Sequence, residues 1–199
     1  MTNFKVSSLT LPQPPLFCID FSAINSDIKQ TCFNLLIEDD KVSHSRSLAG
    51  NLEHQYLAPQ VIKDHIKPYI FHVLQNIVSD TVEIVLTSCW VNFQKKYEFN
   101  PNHNHSGDYS FVWWIHIPYD IQQELSLDFV KNSKNPSASM FYFTYSDLTG
   151  KLNYYPIPVE KKDEGTLVLF PSNLTHTVYP FYTSDDYRVS ISGNLSFKK

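Results

Sequence analysis

Between Pro59 and Val78 the pairs Val61/Ile62, His65/Ile66, Tyr69/Ile70 and Val73/Leu74, followed by Ile77, form one apolar stripe at helical spacing. The spacing predicts an amphipathic helix over 59–78, with Pro59 suited to the first helical position. Pro68 falls on the opposite, polar side and is expected to kink or interrupt it. A second stripe, Phe21, Ile24, Ile28, Cys32, Leu35 and Leu36, predicts a helix from Asp20 to Glu38, with Asp20, Ser22 or Asn25 available as caps. Ahead of it the prolines of Leu11-Pro-Gln-Pro-Pro15 forbid a helix interior and favour an extended edge, with Phe17 and Ile19 in a short strand. The polar stretch 39–53, which carries Gly50, reads as a loop with a short turn.

After Asp80 the period changes. Residues 81–94 are rich in Val, Ile, Thr and aromatics, residues 111–117 are apolar on both faces, and residues 140–145 form a third aromatic run. Further strands are expected at 153–157, 166–170 and 188–197, and Lys131 to Ser139 reads as a loop between strands. Helices first and strands later predict an α+β fold, mainly β, in which N-terminal helices buttress a sandwich or barrel. Aromatic residues at 15% of the chain, against only 5 glycines, tilt the expectation the same way.

With 199 residues, 42% of them hydrophobic, the chain suits one sizeable core, so a single domain over 1–199 is expected, its helical part at 20–80 and its barrel core at 81–197. A formal net charge of -4, with no more than two basic residues adjacent, argues against general nucleic-acid binding. Cys18, Cys32 and Cys89 are too few and too irregular for a disulfide framework or a cysteine-based zinc site. No basic, apolar leader opens the chain and no apolar run approaches ~18 residues, so a soluble, cytoplasmic protein without membrane contact is expected. Oligomeric state stays open, a homodimer included.

Chemistry concentrates in His103-Asn104-His105. If the backbone is extended there, side chains two apart leave the same face and both imidazoles can reach one ion. His176 offers a third imidazole after an apolar strand, and twelve residues later comes Arg188. Arg188, Ser190, Ser192 and Asn194 then alternate with Val189, Ile191, Gly193 and Leu195, which leaves one face of that strand wholly polar. Such a face is either solvated or an interior surface whose guanidinium fork binds a carboxylate. Surface histidines are the plainer reading of His103 and His105 taken alone. Asn92, Gln94, Trp113, Tyr142 and Tyr145 could line a pocket, whereas His44, His54, His65, His72 and His116 are expected to be structural or exposed.

The combination resembles the 2-oxoglutarate- and iron(II)-dependent oxygenases, and more narrowly a group of small members found in bacteria and marine phages. The matching residues are Trp90-Val-Asn92, His103-Asn-His105, Leu169-Phe-Pro-Ser-Asn-Leu-Thr-His176-Thr-Val-Tyr-Pro180 and Arg188-Val-Ser190 through Asn194. The resemblance covers 84–197 and is loose before that. It implies a double-stranded β-helix, a jelly-roll or cupin-like barrel, with helices on the outer face of its larger sheet. It also implies iron(II) and 2-oxoglutarate as cofactors, O2 as co-substrate, and hydroxylation of an unidentified substrate with release of succinate and CO2. Arg188, with Ser190 and Asn92, is then expected at the 2-oxoglutarate. If the gene is carried by a phage, the host cytoplasm is the expected location.

One departure stands out, because the superfamily's His-x-Asp/Glu pair has its second position filled by His105. Either His103, His105 and His176 form a three-histidine site, or Asp108 reaches back round the Ser106-Gly107 turn to complete a carboxylate triad with His105 and His176. The His-x-His spacing fits the group better and makes three histidines the expectation. Two rivals from other classes remain: a cupin-like isomerase or binding barrel, which needs no Arg188, and a non-catalytic phage jelly-roll, which needs no metal.

Overall fold

The chain is described by a computed structural model over residues 16–20, 26–79 and 81–198. Its N-terminal part contributes strand β1 (Phe17–Asp20), helix α1 (Ser26–Asn34), strand β2 (His54–Leu57) and helix α2 (Gln60–Gln75). Strands β3 (Glu83–Gln94), β4 (Asn100–His103) and β5 (Tyr109–His116) follow, then the short helices α3 (Ile121–Ser126) and α4 (Asp128–Lys131). Strands β6 (Phe141–Ser146), β7 (Leu152–Ile157), β8 (Thr166–Pro171), β9 (Thr175–Val178) and β10 (Arg188–Lys198) complete the described chain.

The strands form two antiparallel sheets. The larger has the order β1-β8-β5-β10-β3-β2 and the smaller β4-β9-β6-β7. Strand alternation sorts the side chains between two cores. From β5, Phe111, Trp113 and Ile115 face the helices, where they meet Ile62, Ile66, Ile70 and Leu74 of α2 and Ile28, Cys32 and Leu35 of the α1 region. Val112 and Trp114 point the other way, into the space between the sheets, with Phe141, Phe143 and Phe170. A strand buried on both faces explains why 111–117 shows no polar alternation.

Both helices are present where the stripes placed them, with α1 shorter than 20–38; the candidate caps Ser22 and Asn25, and the segment Leu11–Pro15, lie outside the described residues. Pro59 caps α2 instead of occupying its first position, and α2 runs unbroken through Pro68. Pro68 is on the exposed side, so the carbonyl that its missing N–H leaves unpaired faces water. Strands β2, β4 and β9 and helices α3 and α4 carry no clear sequence signal. The first three are only four residues long, and β4 reads Asn-Pro-Asn-His, a turn composition that the pairing with β9 overrides.

Gly193 is required where β10 crosses the middle of the sheet: a Cβ there would lie 2.6 Å from the Ser88 carbonyl oxygen and 2.7 Å from the Phe111 ring. One residue on, β10 carries a bulge between Asn194 and Leu195.

Candidate functional site

The cavity between the sheets is walled by β3 and β10 on one side and by β4 and β9 on the other. Register places His103 directly opposite His176, and the chain beyond β4 stays tied by the His105 N–H to the Ser172 carbonyl, at 2.8 Å. One ring nitrogen from each of His103, His105 and His176 lies within 4.8 Å of the others, and the ring centroids are 4.2 to 5.1 Å apart. Nδ1 of His103 is 2.7 Å from the Pro101 carbonyl and Nδ1 of His176 is 3.0 Å from that of Leu174. A proton on Nδ1 satisfies each carbonyl and leaves Nε2 with its lone pair.

Burial holds these rings neutral. It lowers the His176 pKa to about 3 and that of His105 to about 4, in both cases reinforced by neighbouring imidazoles, and burial also lowers that of His103. A cluster of three uncharged imidazoles suits iron, zinc or copper as donor set.

Asp108 is not part of this cluster. It is exposed, and its carboxylate accepts from the Phe197 N–H at 2.7 Å while its own N–H donates to the Leu195 carbonyl at 2.8 Å. Gly107, at φ +103°, packs so tightly on β10 that a Cβ would lie 2.6 Å from the Leu195 carbonyl. The turn therefore docks Asp108 on β10 and does not swing it toward the imidazoles.

At the other end of the cavity Arg188 is 2% exposed. Its Nε and Nη2 donate to Gln94 Oε1 at 3.2 and 2.7 Å, Nη1 to Tyr119 Oη at 2.8 Å and the Ser139 carbonyl at 2.9 Å, and Nη2 to the Tyr179 carbonyl at 2.8 Å. The guanidinium also lies over the rings of Phe181 and Tyr119, at 5.5 and 5.8 Å. Among the described residues no ion pair includes Arg188, so this buried cation faces the cavity without a protein carboxylate beside it. That arrangement fits an anionic ligand.

Between the two ends, Asn92 Nδ2 donates to Ser190 Oγ at 3.2 Å and to Ser192 Oγ at 3.1 Å, while its Oδ1 accepts from Gln55 Nε2 at 2.8 Å and Trp90 Nε1 at 3.0 Å. Gln55 Oε1 is buried at the cavity without a hydrogen-bond partner among the described residues. The polar face of β10 thus lines the cavity at Arg188, Ser190 and Ser192, with Arg188 buried and the two serines half-buried.

Gln94 and Asn92 line the cavity as the sequence allowed, but Trp113, Tyr142 and Tyr145 do not. Trp113 faces the helices, stacked on His65 at 6.1 Å and 2°, because alternation turns its neighbour Trp114 inward. Tyr142 bonds Ser137 on the outer side, and Tyr145 is exposed. Sequence reasoning missed Tyr119, Gln55 and Phe181. Their only signal was an aromatic or amide side chain in a segment of no clear period.

Comparison with protein families matches residues 88–194, more than half the chain, to the family described as "Putative 2OG-Fe(II) oxygenase". No match was found among curated proteins. Among solved structures, a prolyl hydroxylase from Trichoplax adhaerens, in complex with a hypoxia inducible factor peptide fragment, is similar at TM-score 0.59 and 13% identity, covering 92% of this chain and 82% of that one. A Pseudomonas putida prolyl-4-hydroxylase is similar at TM-score 0.56 and 12% identity, covering 92% and 93%. A 2OG-Fe(II) oxygenase family oxidoreductase from Burkholderia pseudomallei is similar at TM-score 0.56 and 12% identity, covering 91% and 84%. At such identities the likeness carries the fold, a double-stranded β-helix. The extent of the family match decides the rest: this chain belongs to the 2-oxoglutarate- and iron(II)-dependent oxygenases, dioxygenases that use iron(II), 2-oxoglutarate and O2.

Proposed function

We propose that the chain acts as one oxygenase domain in which His103, His105 and His176 hold the iron and Arg188 holds the distal carboxylate of 2-oxoglutarate, with Asn92 and Ser190 along its path. The observation that carries this reading is the convergence of three neutral imidazoles within 4.8 Å in the cavity that Arg188 closes at its other end. Bound there, iron(II) and 2-oxoglutarate supply the oxidative chemistry: one oxygen atom of O2 enters succinate as CO2 leaves, and the other enters a C–H bond of the prime substrate.

The residues of the chain do the rest by placement. The carbonyls of Pro101 and Leu174 fix the tilt of two imidazoles, and such outer contacts sharpen metal affinity. Three uncharged ligands would bring no negative charge to the ion, so the carboxylate at the 2-oxo acid end of the co-substrate would be the anion beside it, the distal one being held by Arg188. Asn92, tied by four hydrogen bonds, is a fixed polar floor that needs no reorganisation when a ligand slides over it. Trp90, edge-on to His105 at 5.6 Å, and Phe141, stacked on His176 at 5.6 Å, keep water away from the imidazoles. Gln55 and Leu52 reach the same cavity from the N-terminal part, which supports reading the chain as one domain.

Anaerobic titration of the protein with iron(II) and then 2-oxoglutarate tests this. A weak visible charge-transfer band should appear only when both are present and should be lost in His176→Ala. An unchanged band in folded His176→Ala would remove His176 from the ligand set.

A further inference from the structure

The edge of Arg188 that faces the cavity is already taken. Of the groups that accept from its guanidinium, the Ser139 and Tyr179 carbonyls belong to a backbone fixed by the bonds Ser139 N–H to Pro180 O and Tyr179 N–H to Met140 O. Tyr119 lies behind the guanidinium, packed on Phe181. Gln94 alone of these acceptors lines the cavity, and its Oε1 spans Nε and Nη2, the pair of donors that forms the bidentate fork for a carboxylate. All five N–H donors of Arg188 are therefore used within the protein.

The space available agrees with this. The cavity holds about 50 Å³, room for only a few waters. A five-carbon diacid cannot enter between the imidazoles and Arg188 unless a side chain gives way. Gln94 is the candidate, since it sits at the end of β3 and its second anchor is the Glu98 carbonyl in the turn before β4. That turn contains Tyr97 at φ 72°, a conformation that is sparsely populated for a residue other than glycine.

We propose that Gln94 is an internal competitor for the co-substrate: its carboxamide oxygen occupies the Arg188 fork, and 2-oxoglutarate binds by exchanging a carboxylate oxygen for it. This rests on the assignment of Arg188 to 2-oxoglutarate made above and adds a residue that sets affinity and selects among acids. A ligand with a distal carboxylate displaces the amide because an anion paired with the guanidinium outweighs an uncharged carboxamide accepting from the same donors. A 2-oxo acid without that carboxylate cannot, and leaves Gln94 in place.

The test is the dissociation constant of 2-oxoglutarate for the anaerobic iron(II) protein, measured by calorimetry, beside that of pyruvate, which has the 2-oxo acid end only. In Gln94→Ala, 2-oxoglutarate should bind about 10-fold tighter, the scale of one hydrogen bond to a charged group, with pyruvate unchanged. In Gln94→Glu, which keeps the shape and introduces an internal anion at the fork, 2-oxoglutarate should bind more than about 10-fold weaker, again with pyruvate unchanged. Gln94→Glu alone suffices should the alanine variant fold poorly. In Arg188→Ala the affinity for 2-oxoglutarate should fall toward that for pyruvate. If Arg188→Ala weakens 2-oxoglutarate while Gln94→Ala weakens it too or leaves it alone, Gln94 is a helper or a bystander and the inference is overturned. Unchanged affinity in Gln94→Glu overturns it equally. If Arg188→Ala itself has no effect, the assignment of Arg188 falls, a result separate from either of these.

Discussion

At the scale of single residues, the choice between His103 and Asp108 is the sharpest question the chain poses. His103 faces His176 across the β4–β9 pair, whereas the Asp108 carboxylate is bonded to the Phe197 N–H on β10. Removing a metal ligand costs most of the affinity, and removing a residue that only supports the local backbone does not. His103→Ala should therefore lose stoichiometric iron or zinc, while Asp108→Ala should keep it with at most a 10- to 100-fold change. Side-by-side metal titrations check this, and the opposite pattern would restore the carboxylate triad. The same contrast shows what Gly107 does. Its left-handed backbone lets the turn lie against Leu195, and that contact directs Asp108 away.

At the scale of elements, the wall beside Arg188 is held by a short helix far from it in sequence. Glu124 of α3 is fully buried and accepts from the backbone N–H groups of Tyr182 and Thr183 and from Thr183 Oγ1, at 2.6 to 3.0 Å. The segment so fixed carries Phe181, whose ring covers Arg188 and stacks on Tyr119 at 5.0 Å. Glu124→Ala leaves these donors without their acceptor and should lower stability by about 1–3 kcal/mol. It should also weaken 2-oxoglutarate binding with metal affinity intact, since two of the imidazoles sit on β4 and β9 and His105 is tied just beyond β4 to the Ser172 carbonyl. Urea unfolding read together with the two titrations checks this; equal loss of metal and 2-oxoglutarate would mean that α3 supports the whole barrel and not the Arg188 end.

At the scale of the whole molecule, three imidazoles held neutral by burial make stability depend on pH. Their folded pKa values are depressed, to about 3 for His176 and about 4 for His105, against an ordinary value of 6.5. The unfolded chain therefore takes up protons that the metal-free folded chain refuses. The stability is fully present above pH ~6.5 and declines as pH falls toward these folded values, by up to about 1.4 kcal/mol per unit per group. The urea midpoint of the metal-free protein should fall between pH 7 and pH 4, and His176→Ala should flatten that slope. A midpoint independent of pH over this range would show that the imidazoles are solvated. Among the described residues no helix is long and apolar enough to cross a membrane.

The sequence by itself determined the parts that repeat with a clear period. The stripe of α2, the strands β3, β5, β6, β8 and β10, and the order of helices before sheet were legible because burial imposes a period of 3.6 or 2 on residues in sequence. So were His103, His105, His176 and Arg188 as candidates, since their spacing singles them out before the fold brings them to one cavity. The tertiary structure alone decided what depends on partners distant in the chain. It turned the polar face of β10 inward, because the smaller sheet covers it, and it put Trp114 and not Trp113 in the cavity. Pairing with β9 made a strand of Asn-Pro-Asn-His, and contact with Leu195 placed Asp108. Above all it brought Gln94 onto the Arg188 fork: the two residues are 94 apart in sequence and face each other only because β3 and β10 run antiparallel in register.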